Sequence, residues 1–270
     1  MKFDMSQAWR DATAMLSGNR EVLLVVAGLF FLLPGIALAL ALGDVQQAIL
    51  ADPKNAEAMM LDLYLGWWWL IVVYMLAQIV GYLALLALLR DSGRPTVGEA
   101  LKTGLVALLP AFAAYILTAV GLGLAIGLLA GLATATGSGA VAFIVVLVCI
   151  VVAVYVYVKV SLTGPVMAID KVFNPLAALA RSWRLTKGNS FRLFLFYALL
   201  IVVYFVISVV VTSLLGAAMF AFGQSTAQMV QGIVTGCLGA LVTVVFVAVI
   251  AAIHRQLAGP SAAAVSQTFE

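Results

Sequence analysis

Six long apolar stretches, at approximately 22 to 42, 66 to 89, 104 to 133, 139 to 164, 191 to 221 and 231 to 254, are separated by short polar connections. A bilayer core about 30 Å thick needs about 20 apolar residues at the helical rise, and each stretch meets that length. The pattern predicts six membrane-spanning helices. Between the fourth and fifth stretches lies "LARSWRLTKGNSFRLF", residues 179 to 194, which carries four cations and no acid. Leu176, Leu179, Ala180 and Trp183 follow helical spacing, while Arg181, Arg184 and Lys187 take the other sides. Asn174 followed by Pro175 predicts a helix start, and Gly188 with Asn189 predicts its end.

Two further segments resemble this short helix. Met5, Ala8, Trp9, Ala12, Met15 and Leu16 share one face before Gly18 and Asn19, and "RPTVGEALKTG" opens at Pro95 and closes at Gly104. The closing glycines Gly18, Gly104 and Gly188 stand 86 and 84 residues apart. The chain therefore reads as one all-α polytopic membrane domain, 1–270, of three pseudo-repeats: 1–90, 91–170 and 171–256, with a short tail at 257–270. Each repeat is expected to pair a cytoplasmic amphipathic helix with two spans. Two spans per unit keep all three in one orientation, unlike inverted transporter repeats.

Composition agrees, since 65% of residues are hydrophobic, 9% are charged and the mean hydropathy is +1.19. The 14 Lys and Arg residues divide unevenly. Lys2, Arg10 and Arg20 precede the first span; Arg90, Arg94 and Lys102 follow the second; Lys159, Lys171, Arg181, Arg184, Lys187 and Arg192 lie around the fourth-to-fifth connection; and Arg255 ends the sixth. Lys54 is alone on the other side, with Asp44, Asp52, Glu57 and Asp62. The positive-inside rule places both termini in the cytoplasm. A cleaved leader ending at "ALALA" is disfavoured, because the segment before it holds three acids against three bases. Tyr64, Trp67, Trp68 and Trp69 suit the opposite interface. The net charge of +3 has this topological origin, so nucleic acid is not an expected partner.

The run "NPLAALARSWRLTKGNSFRLFLFYALL" resembles the signature of the membrane domain of glycerophosphoryl diester phosphodiesterases and of YciC-like bacterial inner-membrane proteins. Pro175, Ser182, Trp183, Lys187, Gly188, Asn189 and Arg192 carry the likeness. The resemblance implies a bacterial inner-membrane location. It does not imply hydrolysis, which in those enzymes belongs to a separate soluble barrel absent from this sequence.

No catalytic, metal or cofactor set is expected. The single histidine, His254, is read as a helix-end residue beside Arg255, and Cys149 and Cys237 as packing residues in apolar runs. "TGSG" at 136 to 139 reads as a short turn. Within the spans, Gln78 is expected to make an interhelical hydrogen bond and Lys159 to extend toward the headgroups. Either one would line an internal cavity in a transporter. Gly123, Gly127 and Gly131, and Gly232 with Gly236, form GxxxG ridges expected at close helix contacts. Pro34 and Pro110 are expected to bend their spans and leave carbonyls open to a neighbour. "TGPVMAI" is expected to re-enter or skim the membrane.

Functionally, the sequence suggests a non-enzymatic scaffold or membrane-organising protein whose basic helices contact anionic phospholipid through Trp183, Arg181, Arg184, Lys187 and Arg192. The alternative is a transporter or permease for a lipid or small molecule, using Gln78 and Lys159. The cationic segment is equally suited to docking a cytoplasmic or membrane protein partner.

Overall fold

The fold was analysed in a computed structural model, which describes residues 2–38, 48–49, 51–90, 95–219 and 224–259. Arg94, Asp44, residues 260–270 of the tail and the ends of the first and fifth spans lie outside the described residues. All regular structure among the described residues is helical. Six helices are long and apolar enough to cross a membrane.

Helix α1, Met5–Ala27, begins at Asp4, whose carboxylate accepts the Gln7 N–H at 2.9 Å. Asn19 leaves helical geometry, with φ −131° and ψ 16°, so two helices meet across a kink where Gly18 and Asn19 were expected to close the first one. A π-helical turn, Gly28–Leu32, then leads into the remainder of the first span, which reaches Leu38. Helix α2, Ala56–Leu88, starts ten residues before the expected boundary, and it carries Trp67, Trp68 and Trp69 on exposed positions within its length. Helix α3, Val97–Ala135, opens on a reciprocal capping box between Thr96 and Glu99. It absorbs the expected short helix before Gly104 into one uninterrupted helix. Helix α4, Gly139–Val160, is followed by α5, Thr163–Ala168; α6, Pro175–Leu185; α7, Ser190–Met219; and α8, Gln224–Ala258.

The three expected closing glycines behave differently. Gly188 adopts φ +80°, the left-handed conformation that ends a helix at low cost, and it separates α6 from α7. Gly18 immediately precedes the break at Asn19, whereas Gly104 lies inside an unbroken helix. Gly104 serves close approach instead: a Cβ there would meet the Val80 carbonyl oxygen of α2 at 2.8 Å. In segment 163–168, all six residues of α5 are buried inside the protein.

Burial concentrates at one end of the bundle. The closed positions are 79–81 and 83–88 of α2 with Leu89 after it, Ala100, Gly104, Ala107, Ala111 and Ala114 of α3, and Leu193, Phe196 and Tyr197 of α7, with 247–254 of α8. These map to the end of α2, the start of α3, the start of α7 and the end of α8, which the topology places together with α5 and α6. Toward the opposite end the helices present apolar side chains outward. The most apolar windows of the third and fourth spans are 6% buried within the protein, against 50% for the sixth.

The glycine ridge of α3 lies in that open half. Among the described residues, nothing comes within 4 Å of a Cβ placed at Gly123, Gly127 or Gly131, so the ridge makes no close helix contact with them. On α8, Gly236 approaches Leu32 and Ile36, whereas Gly232 approaches nothing within that distance.

Candidate functional site

The packed end is assembled around α6 and its turn into α7. The Asn174 side chain accepts the Ala177 N–H at 3.1 Å and Pro175 occupies the first turn, so the helix starts where its backbone donors are satisfied. Its inward stripe is small and polar: Ala178, Ser182, Thr186 and Asn189 are all buried. The Ser182 hydroxyl donates to the Lys159 carbonyl at 2.7 Å and accepts the Leu162 N–H at 3.2 Å, tying α6 to the break between α4 and α5. Those backbone groups belong to a helix end that lacks its own intrahelical partners. The Thr186 hydroxyl donates back to the carbonyls of Ser182 and Trp183.

The outward faces differ. Leu176 is 66% exposed, Trp183 42% and Phe191 71%, and Arg184 and Lys187 are exposed with no ion pair. The five expected headgroup residues therefore separate into two groups. Trp183, Arg184 and Lys187 look outward. Arg181, with a side chain 40% exposed, places its Nη2 at 2.7 Å from Asp170, and its Nε is buried without an acceptor among the described residues. Arg192 reaches back to donate to the Phe3 carbonyl at 3.4 Å.

That contact belongs to a clasp holding the N-terminus. The Phe3 N–H donates to Asn189 Oδ1 at 2.9 Å, and the Phe3 ring lies 5.7 Å from that of Phe196. The Asp4 N–H donates to Gln256 Oε1 at 3.3 Å, while Gln256 Nε2 donates to the Asp4 carbonyl at 3.4 Å. Arg255 pairs with Asp11 at 3.0 Å. Residues 186 and 252 positions apart are thereby joined through main-chain groups of the first four residues.

A second junction centres on Asp170, between α5 and α6. Its Oδ2 meets both Arg181 and the buried His254 Nε2, the latter at 3.1 Å. The neighbouring Lys171 has φ +57°, a strained conformation for a side-chain-bearing residue, where the chain turns between these contacts. His254 is thus a partner of Asp170 within the protein, and the sequence reading as a helix-end residue missed this contact. No local spacing relates residues 84 positions apart.

Gln78 and Lys159 do not meet. Gln78 Nε2 donates to the Phe30 carbonyl at 3.1 Å. Pro34 has no N–H to offer the carbonyl four residues earlier, which is that of Phe30, so the amide supplies a donor where the proline removed one. Lys159 is 3% exposed, and its Nζ lies 5.5 Å from the Tyr155 ring centroid and 5.4 Å from that of Trp183, within cation–π range of both. The two rings meet edge to face at 86°. Nearby, the Tyr197 hydroxyl donates to Ser161 Oγ at 3.0 Å.

Among the described residues there is no group of three or more His, Cys, Asp or Glu side chains that could hold a metal ion. What the packed end offers is a set of cations, aromatic rings and neutral hydrogen-bonding groups at the edge of an apolar bundle.

Fold and site together define a multi-pass, all-helical membrane protein. More particularly, a family model described as a domain of unknown function, DUF7847, matches residues 4–257, and the chain belongs to that family. No curated protein and no solved structure matches the chain.

Proposed function

We propose that the protein is a non-enzymatic scaffold or membrane-organising protein of a bacterial inner membrane, which contacts anionic lipid through the corner between α6 and α7. The observation that carries this reading is the outward group at that corner. Arg184 and Lys187 are exposed and unpaired beside exposed Trp183, Leu176 and Phe191. Apolar side chains and a tryptophan entering the headgroup boundary, with cations level with the phosphates, describe an interfacial helix. Both termini then lie in the cytoplasm with the basic connections, and α6 is the amphipathic element of the third of three like units. The likeness of residues 174–200 to the membrane domain of glycerophosphoryl diester phosphodiesterases belongs to the same reading.

Arg181 and Arg192 hold the protein's own carboxylate and carbonyl, which leaves Arg184 and Lys187 for the headgroups. Each such cation contributes about 1 kcal/mol toward an anionic surface, so the pair is worth roughly thirtyfold in lipid affinity.

The rival reading is a permease with Gln78 and Lys159 on an internal path. The Gln78 amide is engaged by Phe30, and Lys159 is enclosed by Tyr155 and Trp183. These placements favour the scaffold.

The test is native mass spectrometry of gently extracted protein, comparing wild type with the double variant Arg184→Gln and Lys187→Gln. Loss of co-purifying anionic lipid in the variant is expected. Equal retention would remove lipid contact as the role of this face and leave a protein partner as its occupant.

A further inference from the structure

Lys159 presents an incomplete charge balance. It lies in the last turn of α4 and is 3% exposed. A buried ammonium ordinarily has a carboxylate or several acceptors, because stacking on rings recovers only part of what is lost with water. Among the described residues no carboxylate pairs with it. Asp170, the acid on the next connection, is already engaged by Arg181 at 2.7 Å and His254 at 3.1 Å. Four residues beyond Lys159, the buried Thr163 hydroxyl has no hydrogen-bond partner among the described residues, so the break between α4 and α5 holds a polar atom left unsatisfied beside the cation.

The cover over this ammonium faces outward. Tyr155 is 48% exposed and Trp183 42%, and they meet edge to face over Nζ. Above Tyr155 on α4, Val151 and Leu147 continue at four-residue spacing and are exposed at 67% and 48%. An outward apolar stripe therefore leads directly to a covered cation.

We infer that Lys159, hooded by Tyr155 and Trp183, is a specific site for the headgroup phosphate of an anionic phospholipid whose acyl chain lies along Tyr155, Val151 and Leu147. The inference rests on the lipid-contact reading and adds one defined position to it. The phosphate supplies the missing counter-ion, and the indole moves aside or stacks over the headgroup. Arg184, exposed on the same helix as Trp183, stands in the adjoining face and favours anionic over zwitterionic lipid.

The test follows the thermal unfolding of the full chain in detergent, with phosphatidylglycerol, phosphatidylcholine or inorganic phosphate added. A lipid that binds the folded state raises the midpoint in proportion to its occupancy. Wild type and Lys159→Arg are expected to respond to phosphatidylglycerol alone. Lys159→Met is expected to bind it roughly tenfold more weakly, the scale of one charge-assisted contact. Without lipid, Lys159→Met unfolds at the wild-type midpoint or above, since it removes an uncompensated cation. Trp183→Ala, at a half-exposed position, carries the test independently of the buried site and loses the response in part.

A phosphatidylglycerol response of Lys159→Met equal to that of wild type overturns the site. A response lost in the Arg184→Gln and Lys187→Gln variant but kept in Lys159→Met leaves the outward face standing and removes this position. A response unchanged in both removes both. Equal stabilisation by inorganic phosphate overturns the lipid as the source of the phosphate, and equal stabilisation by phosphatidylcholine overturns the preference for an anionic headgroup.

Discussion

At one end of the bundle Leu83, Leu85 and Leu86 of α2 are fully closed off, whereas Leu124, Leu128 and Leu132 of α3, toward the other end, are 61–71% exposed. Both sets are leucines of long apolar helices. In water the second set would be a severe liability, but lipid tails are as apolar as leucine, so a span gains little from burying such side chains against protein. What must be resolved inside the protein is different: main-chain groups at helix ends and kinks, polar side chains, and places where backbones approach closely. All three accumulate at the cationic end. The carbonyl of Lys159 and the N–H of Leu162 go to Ser182, the main chain of Phe3 goes to Asn189 and Arg192, and Gly104 lets α3 lie against Val80. The bundle is joined where it has polar obligations and opens where it has none.

The largest expected effect comes from treating equivalent leucines at the two ends alike. Leu86→Ala leaves a cavity that lipid cannot fill and should cost about 2 kcal/mol in reversible unfolding in mixed micelles, while Leu128→Ala should cost close to nothing. Comparable losses would dissolve the distinction. A smaller loss, about 1.5 kcal/mol, is expected for Ser182→Ala, which leaves the Leu162 N–H without its acceptor and the Lys159 carbonyl without its donor. Ser182→Thr keeps the hydroxyl and separates hydrogen bonding from steric effects.

Gln78→Leu should cost about 1 kcal/mol, and clearly less in a Pro34→Ala background, where residue 34 regains an N–H for the Phe30 carbonyl. Additivity in that cycle would mean that the amide does not substitute for the proline's missing donor. The smallest effect belongs to Arg255 with Asp11, whose side chains are 35% and 27% exposed. A double-mutant cycle on that pair should give about 0.5 kcal/mol and fall with added salt.

Much of the architecture was legible in the chain because apolar length is a direct requirement of the bilayer. The α6 start and stop were legible because Asn174, Pro175 and Gly188 each meet a local backbone need. The Phe30 carbonyl was foreshadowed by Pro34, though not its partner in Gln78. The N-terminal helix breaks at Asn19, as its sequence suggested, but the central surface helix was misjudged at its end, since a glycine in a helical pattern signals either a stop or a close approach. Gly104 takes the second role, and only the packing of α2 against it decides that. The ridge at Gly123, Gly127 and Gly131 has the spacing of a packing motif but no close neighbour among the described residues. The contacts of Asp170 with His254, and of Phe3 with Asn189, join distant segments, so no local pattern announces them. The charge run in α6 gave the cations but not their division, because the spacing of Arg181 and Arg184 does not reveal where Asp170 stands.

The central claim is that this protein is held together at its cationic end. Gly104→Ala and Gly127→Ala, both single-methyl additions in α3, measured side by side by thermal unfolding, test it most directly. The methyl at 104 would sit 2.8 Å from the Val80 carbonyl oxygen and should lower the midpoint clearly, whereas the one at 127 meets nothing within 4 Å and should leave it unchanged or slightly raised by the better helix propensity of alanine. Equal midpoints, or a larger fall at 127, would contradict the account.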